Sequence, residues 1–323
     1  MVGRFRIATF NMENLEDRPR DGAAGLDDRL AVLRPQFERM RADVLCLQEV
    51  GGSAERRHGP RQLRALDRLL AGTPYEGHHR VVSLNRQGVR HSDHHNLVIL
   101  SRFPVLSHAQ VWHDLVEPPL HRPKGEAREV TWDRPLLHAR LDLGGERALH
   151  VLCLHLRAPR AAHLDGQKDH GVWKSVSGWA EGFTLAAFKR AGQALEARLV
   201  VDQIFDEDPG ALIAVCGDFN ASDHETPTRT IRGDEEDTGN GHLAARVLVP
   251  LDRSISESQR FSAIHHGRRI MLDHILVSRP LLGWFRAAEI HNEALGDELV
   301  SPALVRGAPD SFHAPMVAEF EGV

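Results

Sequence analysis

Apolar runs that break off at an acid, an amide or an imidazole recur through this chain, and they restrict its fold more than any other feature. RIATF leads into Asn11 and Glu13, ADVLCLQ into Glu49, LHVLCL into His155, ALIAVCG into Asp218 and Asn220, and RRIML into Asp273; His313 stands just before APMVAEF. Apolar runs of about five to seven residues read as buried strands. Polar groups at the ends of such strands are cheap to solvate and well oriented, so ligand and catalytic sites gather there. The set is rich in hard oxygen donors and adds two histidines. That combination suits magnesium-assisted attack on a phosphorus centre.

The chain has 323 residues, 41% of them hydrophobic, enough for a sizeable core, and residues 1–323 are expected to form a single large domain. The formal charge is −5, without the basic surplus usual in a polyanion binder. Aromatics are 6% with a single tyrosine, Tyr75, which argues against a base-stacking platform. Cys46, Cys153 and Cys216 each sit inside an apolar run and are odd in number. They read as small buried hydrophobes in a reducing compartment, not as a disulfide framework. MVGRFRIATF lacks an apolar stretch of signal-peptide length, and no segment approaches the ~20 apolar residues of a membrane span. The expected location is the cytoplasm.

Strands are expected over residues 4–10, 44–47, 96–100, 105–111, 212–216, 260–264, 270–277 and 314–320, with a hairpin of 136–143 and 149–156 through Gly144-Gly145. Helical spacing covers 26–41, with Asp27 and Asp28 at its start, then 61–70 and 183–206. Residues 158–181 read as a long irregular insertion and 223–241 as an acidic loop. Helices and strands mix throughout, and neighbouring strands are joined by tight turns. The fold class is therefore α/β, layered, with antiparallel pairs rather than a purely parallel doubly wound sheet.

Within GDFNA, Gly217 lets the chain turn as it leaves a strand. Asp218 can take or orient a water proton there, and Asn220 can donate to an anionic oxygen; an Asx turn capping the strand is the structural alternative. Glu49 is either a solvated strand end or, with Asn11 opposite, a ligand for magnesium, which takes one or two protein carboxylates and keeps its waters. His155 and His313, with Asp273 to hold one ring in a fixed tautomer, suit acid–base or electrophilic work. The 21 histidines cluster at His78-His79, Asp93-His94-His95 and His265-His266. With no HExxH motif and no Cys/His spacing of a zinc set, these read as solvated loop histidines.

FNMENL, LQEV, LVILSRFPV, LCLHL, GDFNA, LDHILVS and FHAPMVAEF, in this order over residues 4–320, resemble the endonuclease/exonuclease/phosphatase superfamily of DNase I-like and exonuclease III-like enzymes. The resemblance implies a four-layer α/β/β/α sandwich: two mostly antiparallel sheets face to face, helices outside, the site at one rim. It implies that Asn11 and Glu49 hold Mg²⁺ or Mn²⁺, with Glu13 near a second metal position. Asp218 would deprotonate the water, Asn220 position the phosphate, and His313, polarised by Asp273, stabilise phosphoryl charge. His155 would assist the phosphate or leaving group.

Three departures stand out. Ser311-Phe312-His313 replaces the family's Ser-Asp-His, with Asp310 the candidate substitute for the missing acid; Gly51-Gly52 follows Glu49-Val50; and Asn96 stands where glycine is common. The insertion, with Lys168, His170, Trp173, Lys174 and Trp179, reads either as a lid over the site mouth or as a surface loop packed by its own tryptophans. The expected function is a divalent-metal-dependent phosphodiesterase acting on a small or medium-sized phosphoester in preference to nucleic acid, with no protein partner. A nuclease is the alternative reading, and a degenerate binding protein the third.

Overall fold

The computed structural model describes residues 3–18, 24–54, 56, 59–122, 126–297 and 309–322. Twelve strands make two six-stranded sheets. In chain order they are β1 (Arg4–Leu15), β2 (Val44–Val50), β3 (His79–Val82), β4 (Asn96–Ser101), β5 (Val105–Val111), β6 (Leu136–Gly144), β7 (Arg147–His155), β8 (Leu212–Asp218), β9 (Val249–Pro250), β10 (Asp273–Val277), β11 (Phe285–Ile290) and β12 (Met316–Glu321). The first sheet runs β11-β12-β1-β2-β4-β3 and the second β9-β10-β8-β7-β6-β5. Each is antiparallel except for one central parallel pair, β1 with β2 and β7 with β8. The main helices are α1 (Leu26–Met40), α2 (Arg64–Leu70), α3 (Val176–Glu207) and α4 (Thr226–Arg232).

Period-two alternation sorts the central strands into layers. Phe5, Ile7, Val44 and Cys46 of the first sheet meet Val151, Cys153, Ala214 and Cys216 of the second in a core between the sheets. Ala8, Phe10, Leu45 and Leu47 face the other way, onto Leu30, Leu33 and Phe37 of α1 and Leu66 and Leu69 of α2. Leu152, Leu154, Ile213 and Val215 likewise pack on Ala197, Val201 and Ile204 of α3. Both faces of each sheet are thus covered, which is why these strands read as unbroken apolar runs. The result is the expected α/β/β/α sandwich. All three cysteines are free and buried between the sheets, and burial pushes the thiols of Cys46 and Cys153 up in pKa.

Several expectations need correction. β3, β9 and β11 were not expected; they are edge strands, and HRVV and FRAAEI are half polar because one face of each is wet. The stretch expected to be irregular to residue 181 becomes helix at Val176, where the Ser175 side chain accepts from Gly178 N at 3.0 Å. Its first turns lie over a small satellite core of Val130, Ala162, Leu185 and Ala186. Before it, Lys168–Asp169 and Val172–Trp173 form a two-stranded ribbon. The acidic stretch 223–241 is not an open loop: it holds α4 and a helical turn, Glu235–Thr238. Asp223 there is neutralised by Arg232 at 3.0 Å and Arg253 at 2.6 Å, and Asp234 by Arg229 at 3.0 Å. Of the strand expected over 260–264, only Ala263–His265 is extended, and it pairs with Arg268–Ile270 in a ribbon of its own. Among the described residues no helix is long and apolar enough to cross a membrane.

Candidate active site

The rim of the first sheet is built on two bulges. The β1–β2 register shifts after Asn11, and the β2–β4 register shifts between Leu47 and Val50. Bulges re-aim side chains, and here Glu13 (φ 46°), Asn14 (φ 57°) and Glu49 (φ 60°) all take left-handed backbone. Such conformations cost on the order of 1–3 kcal/mol each unless their surroundings enforce them. Asn14 N donates to Glu49 Oε2 at 3.0 Å. Arg29 of α1 donates to the carbonyls of Met12, Glu13 and Asn14 at 2.6, 2.9 and 3.0 Å. From the far end of the chain, Ser311 Oγ donates to Asn11 O at 2.8 Å and Phe312 N to Glu13 Oε2 at 2.6 Å.

The second sheet supplies a row. His155, Asp218 and Asp273 are side by side in register at the ends of β7, β8 and β10. Gly217 is required just before it: a Cβ there would lie 2.0 Å from Leu154 O. Asp218 is saturated with donors. Asn11 Nδ2 reaches its Oδ2 at 3.0 Å, Asn220 N its Oδ1 at 2.8 Å, and Asn220 Nδ2 its Oδ2 at 3.1 Å. Asp273 Oδ2 holds His313 Nδ1 at 2.8 Å.

The two rims meet at one imidazole. His155 Nε2 lies 3.7 Å from Glu49 Oε1 and 3.3 Å from Asp218 Oδ2. Asn11, Glu13, Glu49, His155, Asp218, Asn220 and His313 line one cleft of about 520 Å³, and Asp273 stands behind His313. All eight expected residues therefore converge. Two are turned differently from expectation. Asn11, expected on a cation, spends Nδ2 on Asp218, and its Oδ1 accepts from Glu13 N at 2.9 Å. Asn220, expected on the phosphate, donates to Asp218 and to Leu156 O at 3.1 Å.

The cleft is also lined by His95, Arg134, Arg157, Arg160 and His265, which sequence reasoning missed. His95 was in view as part of Asp93-His94-His95, but nothing in the sequence said it would turn inward. Asp310 does not replace the missing acid, because its Oδ1 accepts from Gln36 of α1 at 2.7 Å. Lys168, His170, Trp173, Lys174 and Trp179 line no part of the cleft. Lys168 Nζ sits 4.3 Å from the Trp173 ring centroid, and Trp179 stacks on Phe183 at 5.3 Å. The segment walls a neighbouring cavity of about 780 Å³ that shares Arg157 with the cleft.

Burial dominates the electrostatics. It raises Asp218 to about 7, helped by the like charge of Asp273 and opposed by His313 and the Asn220 and Asn11 donors. Burial likewise raises Glu13 to about 7. It lowers His155 well below the ordinary histidine value, together with Arg134 and His95, so this ring is neutral. Burial alone would lower His313, but Asp273, Asp218 and Glu49 hold it well above that value, as a cation. A divalent cation beside these two buried carboxyl groups would favour their charged forms. Ligand-capable atoms fall into two groups, Glu49 with His95 and His155, and Asp218 with Asp273 and His313, each set within 4.8 Å. The donor set fits a divalent cation on the Glu49 side.

The sequence profile of the endonuclease/exonuclease/phosphatase family matches residues 8–295. Among solved structures, truncated TDP2 from Caenorhabditis elegans is similar at 16% identity and a TM-score of 0.56, over 99% of this chain and 98% of that one. An AP endonuclease from Archaeoglobus fulgidus is similar at 16% identity and a TM-score of 0.54, over 98% and 100%. The 3′ phosphatase NExo from Neisseria, bound to a product DNA hairpin, is similar at 16% identity and a TM-score of 0.55, over 98% and 100%. Likeness at these identities establishes the fold. No curated protein matches the sequence. The expected preference for a small substrate over nucleic acid gains no support from these relatives.

Proposed function

The chain belongs to the endonuclease/exonuclease/phosphatase family, whose enzymes are metal-dependent hydrolases of phosphoester bonds, and on that footing we propose that it hydrolyses a phosphodiester by in-line attack of water. The observation that carries the reading is the meeting of Glu49 and Asp218, one from each sheet, at His155 Nε2, 3.7 and 3.3 Å away.

Asp218 takes the proton of the attacking water. Burial and the like charge of Asp273 make it a stronger base than an ordinary aspartate. Asn11 and Asn220 fix the carboxylate so that it need not reorganise. His313, charged and held through Nδ1 by Asp273, offers Nε2–H to a phosphoryl oxygen as negative charge grows there. Glu49 would hold the divalent cation, Mg²⁺ or Mn²⁺, with Glu13 near a second position; when bound, the cation would supply positive charge to the reacting phosphate. The reading takes residues 1–323 as one catalytic domain, with an insertion over residues 158–175 whose first residues, Pro159 and Arg160, line the cleft. It puts the protein in the cytoplasm, where three buried free thiols are at home.

The test is hydrolysis of bis(p-nitrophenyl) phosphate with Mg²⁺ or Mn²⁺ by the parent and by Asp218→Asn. Turnover that disappears in the variant is expected; turnover that persists overturns the reading. A nuclease is the second reading, favoured by Arg134, Arg157 and Arg160 on the cleft walls and by the neutralised acids of residues 223–241. Plasmid nicking that outpaces diester hydrolysis in one preparation, and vanishes in Asp218→Asn, would decide for it.

A further inference from the structure

We infer that the cleft binds a divalent transition-metal ion through Glu49 Oε1, His95 Nδ1 and His155 Nε2, and therefore prefers Mn²⁺ or Co²⁺ to Mg²⁺. The inference rests on the reading above that the cleft holds a divalent cation, and it names the kind of ion.

The three atoms lie within 4.8 Å of one another. Glu49 Oε1 is 3.7 Å from each of the two imidazole nitrogens. Magnesium selects oxygen ligands and near-ideal octahedral geometry. A carboxylate with two imidazoles and open positions is instead the donor set of first-row transition metals. His155 has only 2% of its surface exposed. Its Nε2 points at the carboxylates, while its Nδ1 has no hydrogen-bond partner among the described residues. Glu49 keeps Oε1 on the cation side because Oε2 is already occupied by Asn14 N.

His95 is delivered to this spot by the residues that depart from the family pattern. Asn96 donates through Nδ2 to Val50 O at 2.8 Å and to Ser92 O at 2.9 Å, and its Oδ1 accepts from Ser92 N at 2.8 Å. It thereby ties residues 92–95 to the end of β2, next to Glu49. Gly52 N donates to Asp93 O at 2.8 Å, and a Cβ on Gly52 would lie 2.3 Å from Ser92 O, so only glycine allows the approach. His94 Nδ1 is drawn 2.6 Å from Glu16 Oε1, away from the cleft. His95 is left to turn inward on left-handed backbone (φ 58°), its ring 6.1 Å from that of His155. Glycine, asparagine and the left-handed histidine together place the imidazole beside Glu49 and His155.

The test is metal binding without turnover. The full chain is stripped with chelator and titrated calorimetrically with Mn²⁺, Co²⁺ and Mg²⁺, and the visible spectrum of the Co²⁺ form is recorded for nitrogen ligation. The parent should bind Mn²⁺ and Co²⁺ at least about tenfold more tightly than Mg²⁺. His95→Asn should lose about tenfold or more for Mn²⁺ and Co²⁺, shift the Co²⁺ spectrum, and change Mg²⁺ affinity by less than about threefold. Thermal melts of the metal-free proteins check that the variant folds. If it does not, Mg²⁺–Co²⁺ competition on the parent still decides. Equal affinities, or a variant that keeps its Co²⁺ spectrum and only raises KM, overturn the inference, the latter making His95 a substrate contact. Hydrolysis lost in Asp218→Asn tests the function separately, so the two can fail independently.

Discussion

The two sheets are built alike and finish differently. Each has six strands around one central parallel pair, and each brings its site residues to the same rim. The first sheet reaches the rim through bulges, with Glu13, Asn14 and Glu49 in left-handed backbone. The second reaches it through straight strands in register, with Asp218 enclosed by amide donors. One rim presents the free Oε1 of Glu49 to the cleft, its Oε2 held by Asn14 N; the other presents the Asp218 carboxylate, pinned by three amide donors. The lesson is that strain and hydrogen-bond saturation are separate means to a preorganised site, used here on opposite walls of one cleft.

Breaking the saturated side should have the larger effect. Asp218→Asn is expected to lower kcat on a chromogenic diester by about 10³-fold or more, within the range for losing a general base. In chelator the parent's own stability should depend on pH. Asp218 sits at about 7 in the fold against an ordinary value of 3.8. Between those pH values the folded chain holds a proton that the unfolded chain has released, so Tm should fall as pH rises from about 4 to about 7. A Tm that rises over that range would mean that the saturated side favours the charged carboxylate. In the parent, kcat/KM should fall on acidification as Asp218 takes up its proton.

His313→Ala should cost about 10²-fold in kcat. Asp273→Asn should cost less and move the alkaline limb of the pH–rate profile to lower pH, because His313 then loses its charge earlier. On the strained side, Glu49→Gln should cost roughly tenfold at limiting metal and recover as Mn²⁺ is raised, since a weakened cation site responds to mass action. A defect that no metal concentration relieves would remove Glu49 from the cation side. Smallest of all, Asp310→Asn should change kcat/KM by less than about twofold, as expected of a half-buried side chain away from the chemistry. Its carboxylate is spent on Gln36 and on Ser311 N.

The same contrast marks what could be read in the sequence. Central strands such as Val44–Val50 and Leu212–Asp218 were legible because both faces are covered and the apolar signal is continuous. Edge strands His79–Val82 and Phe285–Ile290 were not, because half of each faces water. Site residues that end a buried strand, such as His155 and Asp218, announced themselves by interrupting an apolar run. His95 and Arg134 stand outside any such run, and what brings them inward is tertiary: for His95, the ties of Asn96 and the bareness of Gly52. The roles of Asn11 and Asn220 were blurred for a related reason. An amide near a phosphate site can serve substrate or protein, and only coordinates reveal that both amides bond Asp218.

β12 lies between β11 and β1, and the hydrogen bond from Ser311 to Asn11 joins residues 300 positions apart. On a ribosome, β1 is therefore made long before the strand that completes its other edge. At synthesis rates of about 5–20 residues per second, the wait is roughly 15–60 s. Throughout it the nascent polypeptide carries an open, sticky strand edge and has no catalytic centre. Any activity must await the pairing of β12, so the growing chain cannot cleave what it meets in that interval, and its need for chaperone cover should be greatest then.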